Sequence, residues 1–463
     1  MDHSPRHALH SVWRDALYSR LRGQAEPLFV FPDCTIPAAS LWVAARLWVD
    51  LFRSHQLRPG DRVLLAREPG TGSLAFLVAA LWEGLSIAVA LPYTGGVERA
   101  EFFDARLGLG CDGLDADAAG CPVLAPQWST RVALHAPTPL TRFITRTSGT
   151  GGSPRWVALS DRNVWSVLES HRPFLCQQED VVLSILPWHH SFGLFIDVLP
   201  ALLGASMLVR EPSGGRDAAS VIDAASAWGA TWCSMVPLQA ARLAESGPGV
   251  AFLRGLRGGV IGGAAATASL CATLRTTSLR VGYGQTEASP GICLGEPGAW
   301  EAGYIGRPVG CEARVTPESR LQVRGPNVCA GFWQDGAVRR LSADRWLDTG
   351  DLVGINARGY TYLGRADHSF KLDNGRLVDA GIIEAELRGA LPGLEDAALY
   401  SPDGARLGLC LVMAPGAMTP DVAIVSRVLG PLSARLETLS IRTDDHTFRT
   451  PKGSLDRAKL LIA

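Results

Sequence analysis

The chain predicts an α/β protein with a small α+β unit at its C-terminal end. Three observations carry that expectation. Short apolar runs that read as buried strands alternate with longer helix-like stretches through the first two thirds of the sequence. After Gly350 the texture changes to short strands and turns, followed by one helix-like stretch. A chain of 463 residues, 47% hydrophobic and 19% charged, also has material for a large core and more than one domain.

The elements follow in chain order. The opening "MDHSPRHALHSVWRDALYSRL" is polar and mixed, without the apolar run of a signal peptide. Leu41 to His55 reads as a helix and Arg62 to Glu68 as a strand. Ser73 to Leu91 is apolar enough to suggest a membrane span, but it carries Glu83 and breaks at Gly84. It is therefore expected to be a buried helix followed by a strand at Ser86 to Leu91. "RFIT" is strand-like, and Ser160 or Asp161 can cap the helix of "VALSDRNVWSVLES". Val181 to Pro187 and Ser206 to Glu211 are further strands, and Ala218 to Trp228 is a helix. "LVGINARGYTYLG" reads as short strands and turns, "AGIIEAELRGAL" as a helix. The expected division is residues 1–366 and 367–463, with no repeat and no low-complexity linker between them.

Composition excludes some functions. A formal net charge of -1 gives no electrostatic reason to expect a nucleic-acid partner, and no membrane partner is expected. The ten cysteines are scattered, without a CxxC pair or metal-ligand spacing, which points to free thiols in a reducing cytoplasm. Lysine occurs only at Lys371, Lys452 and Lys459 among 44 basic residues, so each lysine raises a question.

One loop is too poor in bulk to pack a core: Thr147-Ser148-Gly149-Thr150-Gly151-Gly152-Ser153-Pro154-Arg155. Its hydroxyls and amide N–H groups can hold phosphate oxygens, and Arg155 can add charge. The spacing is not that of a Walker loop, and a plain surface turn is the competing reading. Further along, "VGYGQTEASP" places Tyr283, Gly284, Thr286 and Glu287 after a strand. A tyrosine can stack on a base, a threonine can bond a phosphate, and a carboxylate can hold Mg2+. "WLDTGDLVGINARGYTYLGRADHSFKLDNG" supplies Asp351, Arg365, Asp367 and Lys371, and a carboxylate can accept from both hydroxyls of a ribose. "FRTPKGSLDRAKLL" closes the set.

These segments, in this order from residue 147 to 457, resemble the signatures of the AMP-forming adenylate-forming superfamily. That superfamily comprises acyl-CoA synthetases, nonribosomal-peptide adenylation domains and luciferases. "LQVRGPNVCAGFW" and "GYIGRPVG" are similar to its intervening segments. The resemblance implies a large multi-sheet N-terminal domain and a small C-terminal domain on a hinge. It implies ATP and Mg2+ as cofactors and the conversion of a small carboxylic acid to an acyl-adenylate. A thiol of coenzyme A or of phosphopantetheine on a separate acyl carrier protein then displaces AMP.

Carried over position by position, Thr147, Ser148, Gly149 and Thr150 would cradle the β- and γ-phosphates. Gly262, Gly263, Ala264 and Tyr283 would line the adenine. Thr286 would touch the α-phosphate, Glu287 the Mg2+, and Asp351 and Arg365 the ribose. Asp367 would be the hinge. "LPWHHSFGLF" is similar to the segment that gates the acyl pocket, with His190 at the gating position; a hydrogen-bonded core histidine is the alternative. Relatives that activate amino acids carry an aspartate where this chain has Phe192 or Gly193, so an amino-acid substrate is disfavoured. Phe192, Phe195, Ile261 and Cys293 suggest an apolar pocket for an aryl or medium-chain acid.

The chain departs from the family pattern twice. The second hydroxyl of the phosphate loop is Gly151, and its usual lysine is Arg155. In the tail, where the family reads PxGK, Ser454 stands at the lysine position. Three readings are open. Lys452 can substitute, since residues i and i+2 of an extended segment share a face roughly 6–7 Å apart. Ser454 can be an engineered replacement. Or the protein adenylates weakly and serves mainly the thioester half-reaction, or as a nucleotide binder.

Overall fold

The computed structural model describes residues 5–22, 28–90, 102–103, 105–109, 141–147, 155–342, 344–366, 369–374, 376–414 and 416–443. Among these, the α/β rhythm resolves into three sheets before residue 366 and a separate α+β unit after it. In the seven-stranded sheet, Leu107–Leu109, Arg62–Leu65, Ser86–Val89 and Phe143–Arg146 run parallel. Trp156–Leu159, Gly331–Gln334 and Ala337–Arg340 then extend it antiparallel. Arg62–Leu65 and Ser86–Val89 are buried along their whole length, as parallel strands covered on both faces must be.

The run from Ser73 to Leu91 behaves as the sequence predicts. Thr71–Glu83 is a helix buried all round, and Ser86–Val89 is the strand beside it. The helices Ala38–Ser54 and Thr71–Glu83 pack together through Trp48, Phe52 and Phe76, whose rings meet edge to face. Among the described residues no helix is long and apolar enough to cross a membrane.

A four-stranded sheet joins Thr35–Pro37, Leu28–Val30, Met207–Arg210 and Val181–Ser184. An eight-stranded sheet begins with the parallel pair Val260–Gly262 and Arg280–Tyr283. It passes through Cys293–Leu294 and Tyr304–Pro308 to the long hairpin of Gly359–Arg365 and Leu347–Asn356. Ser160 caps the helix Asp161–His171, as expected, in a reciprocal box with Asn163. The Asn163 amide also donates to the carbonyls of Pro326 and Val328, both at 2.7 Å, and so ties this helix to the segment ahead of Gly331–Gln334.

From Leu372 onward the chain closes a core of its own, with Leu387, Leu399, Leu409, Leu411 and Val425 at its centre. The strands Leu394–Tyr400, Leu407–Met413 and Leu436–Thr443 form its three-stranded sheet. The helix Ala380–Ala390 lies where the sequence predicts one. The expected hinge, Asp367, lies outside the described residues, as do Lys452 and Ser454.

Candidate functional site

The site is assembled where strands end. Phe143–Arg146 and Trp156–Leu159 form an antiparallel hairpin in which Arg146 faces Trp156. One step beyond, Thr147 N donates to the Arg155 carbonyl at 2.9 Å, and Arg155 N donates to Thr147 Oγ1 at 3.1 Å. This pinch fixes the base of the hydroxyl- and glycine-rich loop. Ser148, Gly149 and Thr150 themselves lie outside the described residues.

The Arg155 side chain leaves the pinch and crosses to another sheet. Its Nη2 donates to Glu287 Oε1 at 2.8 Å, and its guanidinium lies over the Phe332 ring, 4.9 Å from the centroid. Glu287 is 5% exposed, in the short 3-10 turn Thr286–Ala288 that follows Arg280–Tyr283. Several bonds make that turn rigid. Cys329 N donates to the Glu287 carbonyl at 2.8 Å, Ser289 Oγ donates to Asn327 O at 2.8 Å, and Asn327 Nδ2 donates to Gly291 O at 2.7 Å. Gly284 is required here, because a Cβ would collide with the Pro290 carbonyl.

Thr286 Oγ1 lies 2.9 Å from Ser191 Oγ, so the turn is hydrogen-bonded to the "HHSFG" segment. His190 of that segment is exposed along part of its surface and His189 is half-buried. The His189 and His190 rings are 4.7 Å apart. Loss of water lowers both pKa values, His189 to about 4, helped by His190 and Arg210 there and by Arg146 at His190. Both imidazoles are therefore neutral at pH 7 and free to accept a proton or a hydrogen bond.

Phe192 is partly buried against the main core, and Phe195 is fully buried, edge to face with Phe143 at 5.0 Å. Gly193 opens a π-helical turn, Gly193–Val198, and a Cβ there would collide with the Pro187 carbonyl. Ile261 and Cys293 are each 1% exposed; Cys293 pairs across the sheet with Tyr283, and burial raises its thiol pKa.

These residues do not share one surface: Phe195 and Phe192 belong to the main core, Ile261 to a second core and Cys293 to a third. Asp351 sits on Leu347–Asn356, in register with Arg365 on the neighbouring strand. It is 7% exposed. Tyr283 Oη donates to Asp351 Oδ2 at 2.5 Å, and Arg365 Nη1 donates to Oδ1 at 3.2 Å. Burial, then the Asp351 charge, pushes the Tyr283 phenol well above its ordinary pKa, so it remains a donor. Gly262 ends its strand alongside Gly282, and Gly263 and Ala264 are exposed beyond it. Thus Gly262, Tyr283 and the Thr286–Glu287 turn share the carboxyl ends of adjacent parallel strands, the usual place for ligands in such sheets.

Ser191, Phe332 and Thr349 join the site without having been singled out. Ser191 and Phe332 stand inside quoted segments, but their partners, Thr286 and Arg155, are 95 and more residues away in sequence. Thr349 lies two residues before Asp351, and its Oγ1 accepts from the Asp351 amide at 3.1 Å. Glu287 and Thr286 offer hard oxygens, which suit Mg2+ held by one carboxylate together with phosphates of a substrate. A separate cleft of about 320 Å³ opens near the other end of Arg280–Tyr283, with Arg280, Arg307 and Arg358 in its wall. Arg280 and Arg307 donate there to backbone carbonyls, and Arg358 to Glu301.

Comparison with known proteins places these segments in a wider setting. The family model described as AMP-binding enzyme matches residues 127–333. The chain is 31% identical over 378 residues to the sulfoacetate–CoA ligase of Cupriavidus necator, across 74% of this chain and 72% of that protein. It is 28% identical over 308 residues to the long-chain-fatty-acid–CoA ligase of Yersinia pestis, across 61% of this chain and 54% of that one. In fold it is similar to the o-succinylbenzoate–CoA synthetase of Bacillus subtilis, solved with ATP and a magnesium ion. The TM-score is 0.75 at 18% identity, over 96% of this chain and 98% of the other.

Proposed function

Because the chain belongs to the AMP-binding, adenylate-forming enzyme family, we propose that it joins a carboxylic acid to a thiol using ATP. The carboxylate oxygen attacks the α-phosphorus of ATP and pyrophosphate leaves, giving an acyl-adenylate. A thiolate then attacks the acyl carbon, the C–O bond to AMP breaks, and the thioester remains. The named relatives are CoA ligases, which supports coenzyme A as the acceptor; the phosphopantetheine of a separate carrier protein presents the same thiol.

The observation that carries this reading is the convergence of two groups on one sheet. Tyr283, Asp351 and Arg365 form one hydrogen-bonded group, and Thr286 and Glu287 follow directly on Tyr283. In the proposal, Asp351 meets the ribose hydroxyls beside Arg365 and Tyr283. Gly262, Gly263, Ala264 and the Tyr283 ring meet the adenine. The Thr286 hydroxyl meets the α-phosphate, and Thr147, Ser148, Gly149 and Thr150 the distal phosphates. Glu287 would hold Mg2+, which when bound supplies charge neutralisation on the phosphates. His190, Phe192 and Gly193 border the acid, for which an aryl or medium-chain group fits best with an apolar wall lacking a free carboxylate at Phe192. Residues 367–463 would rotate about Asp367 between the two half-reactions.

The second reading, weak adenylation, is favoured by one feature, Ser454 at the family's lysine position. Pyrophosphate release from ATP and a panel of carboxylic acids separates the two. If Lys452 supplies the missing charge, wild type releases pyrophosphate, Lys452→Ala abolishes the release but spares thioester formation from a supplied acyl-adenylate, and Ser454→Lys adds little. If release is near zero and Ser454→Lys raises it by orders of magnitude, the thioester or binding role stands instead.

A further inference from the structure

Arg155 and Glu287 are read from sequence as contacts for two different partners, phosphate and metal, yet they pair with each other at 2.8 Å. We propose that Arg155 is a built-in stand-in for the metal ion: it neutralises Glu287 and gives way to Mg2+, moving to the phosphates that arrive with the metal. The inference rests on the reading of Glu287 as the Mg2+ carboxylate.

The Glu287 side chain is 6% exposed, and a carboxylate removed from water needs a counter-charge. The Arg155 side chain is 62% exposed, so its other face is open to solvent and to a ligand. Its backbone is pinned by the pinch with Thr147 at the base of the phosphate loop. The guanidinium is therefore anchored at the described base of the segment proposed to hold the distal phosphates. Phe332 supports it through a contact that tolerates sliding of the guanidinium across the ring. An arginine suits the exchange because its planar fork pairs equally well with a carboxylate and a phosphate.

The consequence is a coupling between cations. In the wild type, Mg2+ must displace Arg155 from Glu287, and Arg155 recovers a partner only if phosphate is present. Metal without nucleotide should bind poorly. In Arg155→Ala, Glu287 is left without its cation: metal-free ATP meets a bare buried carboxylate, while Mg2+ meets an open one.

The test is calorimetric binding of a non-hydrolysable ATP analogue, with and without Mg2+, and of Mn2+ alone by its paramagnetic resonance. Arg155→Ala should raise the ratio of affinities with and without metal at least tenfold, and tighten binding of Mn2+ alone by a similar factor. Arg155→Lys, which keeps the charge, should lie close to wild type and serves as the control if Arg155→Ala unfolds. Glu287→Gln should remove the metal dependence. If Arg155→Ala weakens metal-free and metal-bound nucleotide equally, Arg155 is only a phosphate contact and the exchange is refuted. If the analogue binds no variant and not the wild type, the nucleotide reading itself fails, and this inference with it.

Discussion

Asp351 is held from both sides, by a phenol at 2.5 Å and a guanidinium at 3.2 Å. Two such bonds fix the direction of its carboxylate, the group proposed to meet the ribose. Asp351→Ala should weaken AMP and ATP alike by at least tenfold, as expected for hydrogen bonds to a charged group worth about 1.5–3 kcal/mol. Calorimetry of AMP binding checks it, and unchanged affinity would remove Asp351 from the site. Asp351, Arg365, Thr286 and Glu287 stand out in the sequence because each lies in a segment that resembles a family signature, and their proposed roles rest on that resemblance. Their pairings were not legible. Tyr283 was expected to offer its ring and also offers its hydroxyl to Asp351, 68 residues away. Arg155 was expected to face phosphate and instead meets Glu287, because a buried carboxylate takes the nearest cation that the fold supplies.

Elements were easier to foresee than their ends. The helix at Ala218–Trp228 and the buried helix–strand pair at Thr71–Glu83 and Ser86–Val89 follow directly from apolar run length and its breakers. The π-helical turn Gly193–Val198 does not, since hydrophobic periodicity cannot distinguish it from an α-helix. Pro200, which has no N–H to donate back to Ile196, sits where this turn passes into Leu199–Gly204. The turn carries Asp197, 1% exposed, beside Ser184, Arg210 and the Cys176 and Cys233 thiols.

Burial raises the Asp197 pKa to about 7, against the opposing pull of Ser184 and Arg210, from an ordinary value of 3.8. Between those two values the folded state binds more protons than the unfolded chain. Stability from this group therefore falls as pH rises from about 4 to about 7. His171 and His189, both lowered by burial to about 4, act in the opposite sense: their contribution rises between about pH 4 and 6.5. Asp197→Asn removes only the first contribution. The melting temperature of the variant minus that of wild type should climb from pH 4 to 7 and level off above it. Parallel curves would show that Asp197 titrates normally.

For the whole molecule, the residues from Leu372 onward pack a core of their own, and the proposed rotation between two half-reactions would need such a unit. The fold class was readable because strand and helix lengths alternate so regularly. The partition into three sheets was not, because register and strand order depend on long-range pairing, as when Gly331–Gln334 joins Trp156–Leu159. The fate of a single oxygen atom distinguishes this chemistry from its alternatives. If the acid attacks the α-phosphorus, one carboxylate oxygen must end in AMP. An acid found active in the pyrophosphate panel, labelled with 18O in its carboxylate and incubated with ATP, Mg2+ and coenzyme A, should yield AMP carrying one 18O by mass spectrometry. It should also yield an acyl thioester that retains one labelled oxygen. Unlabelled AMP, or ADP and labelled phosphate in its place, would contradict the account.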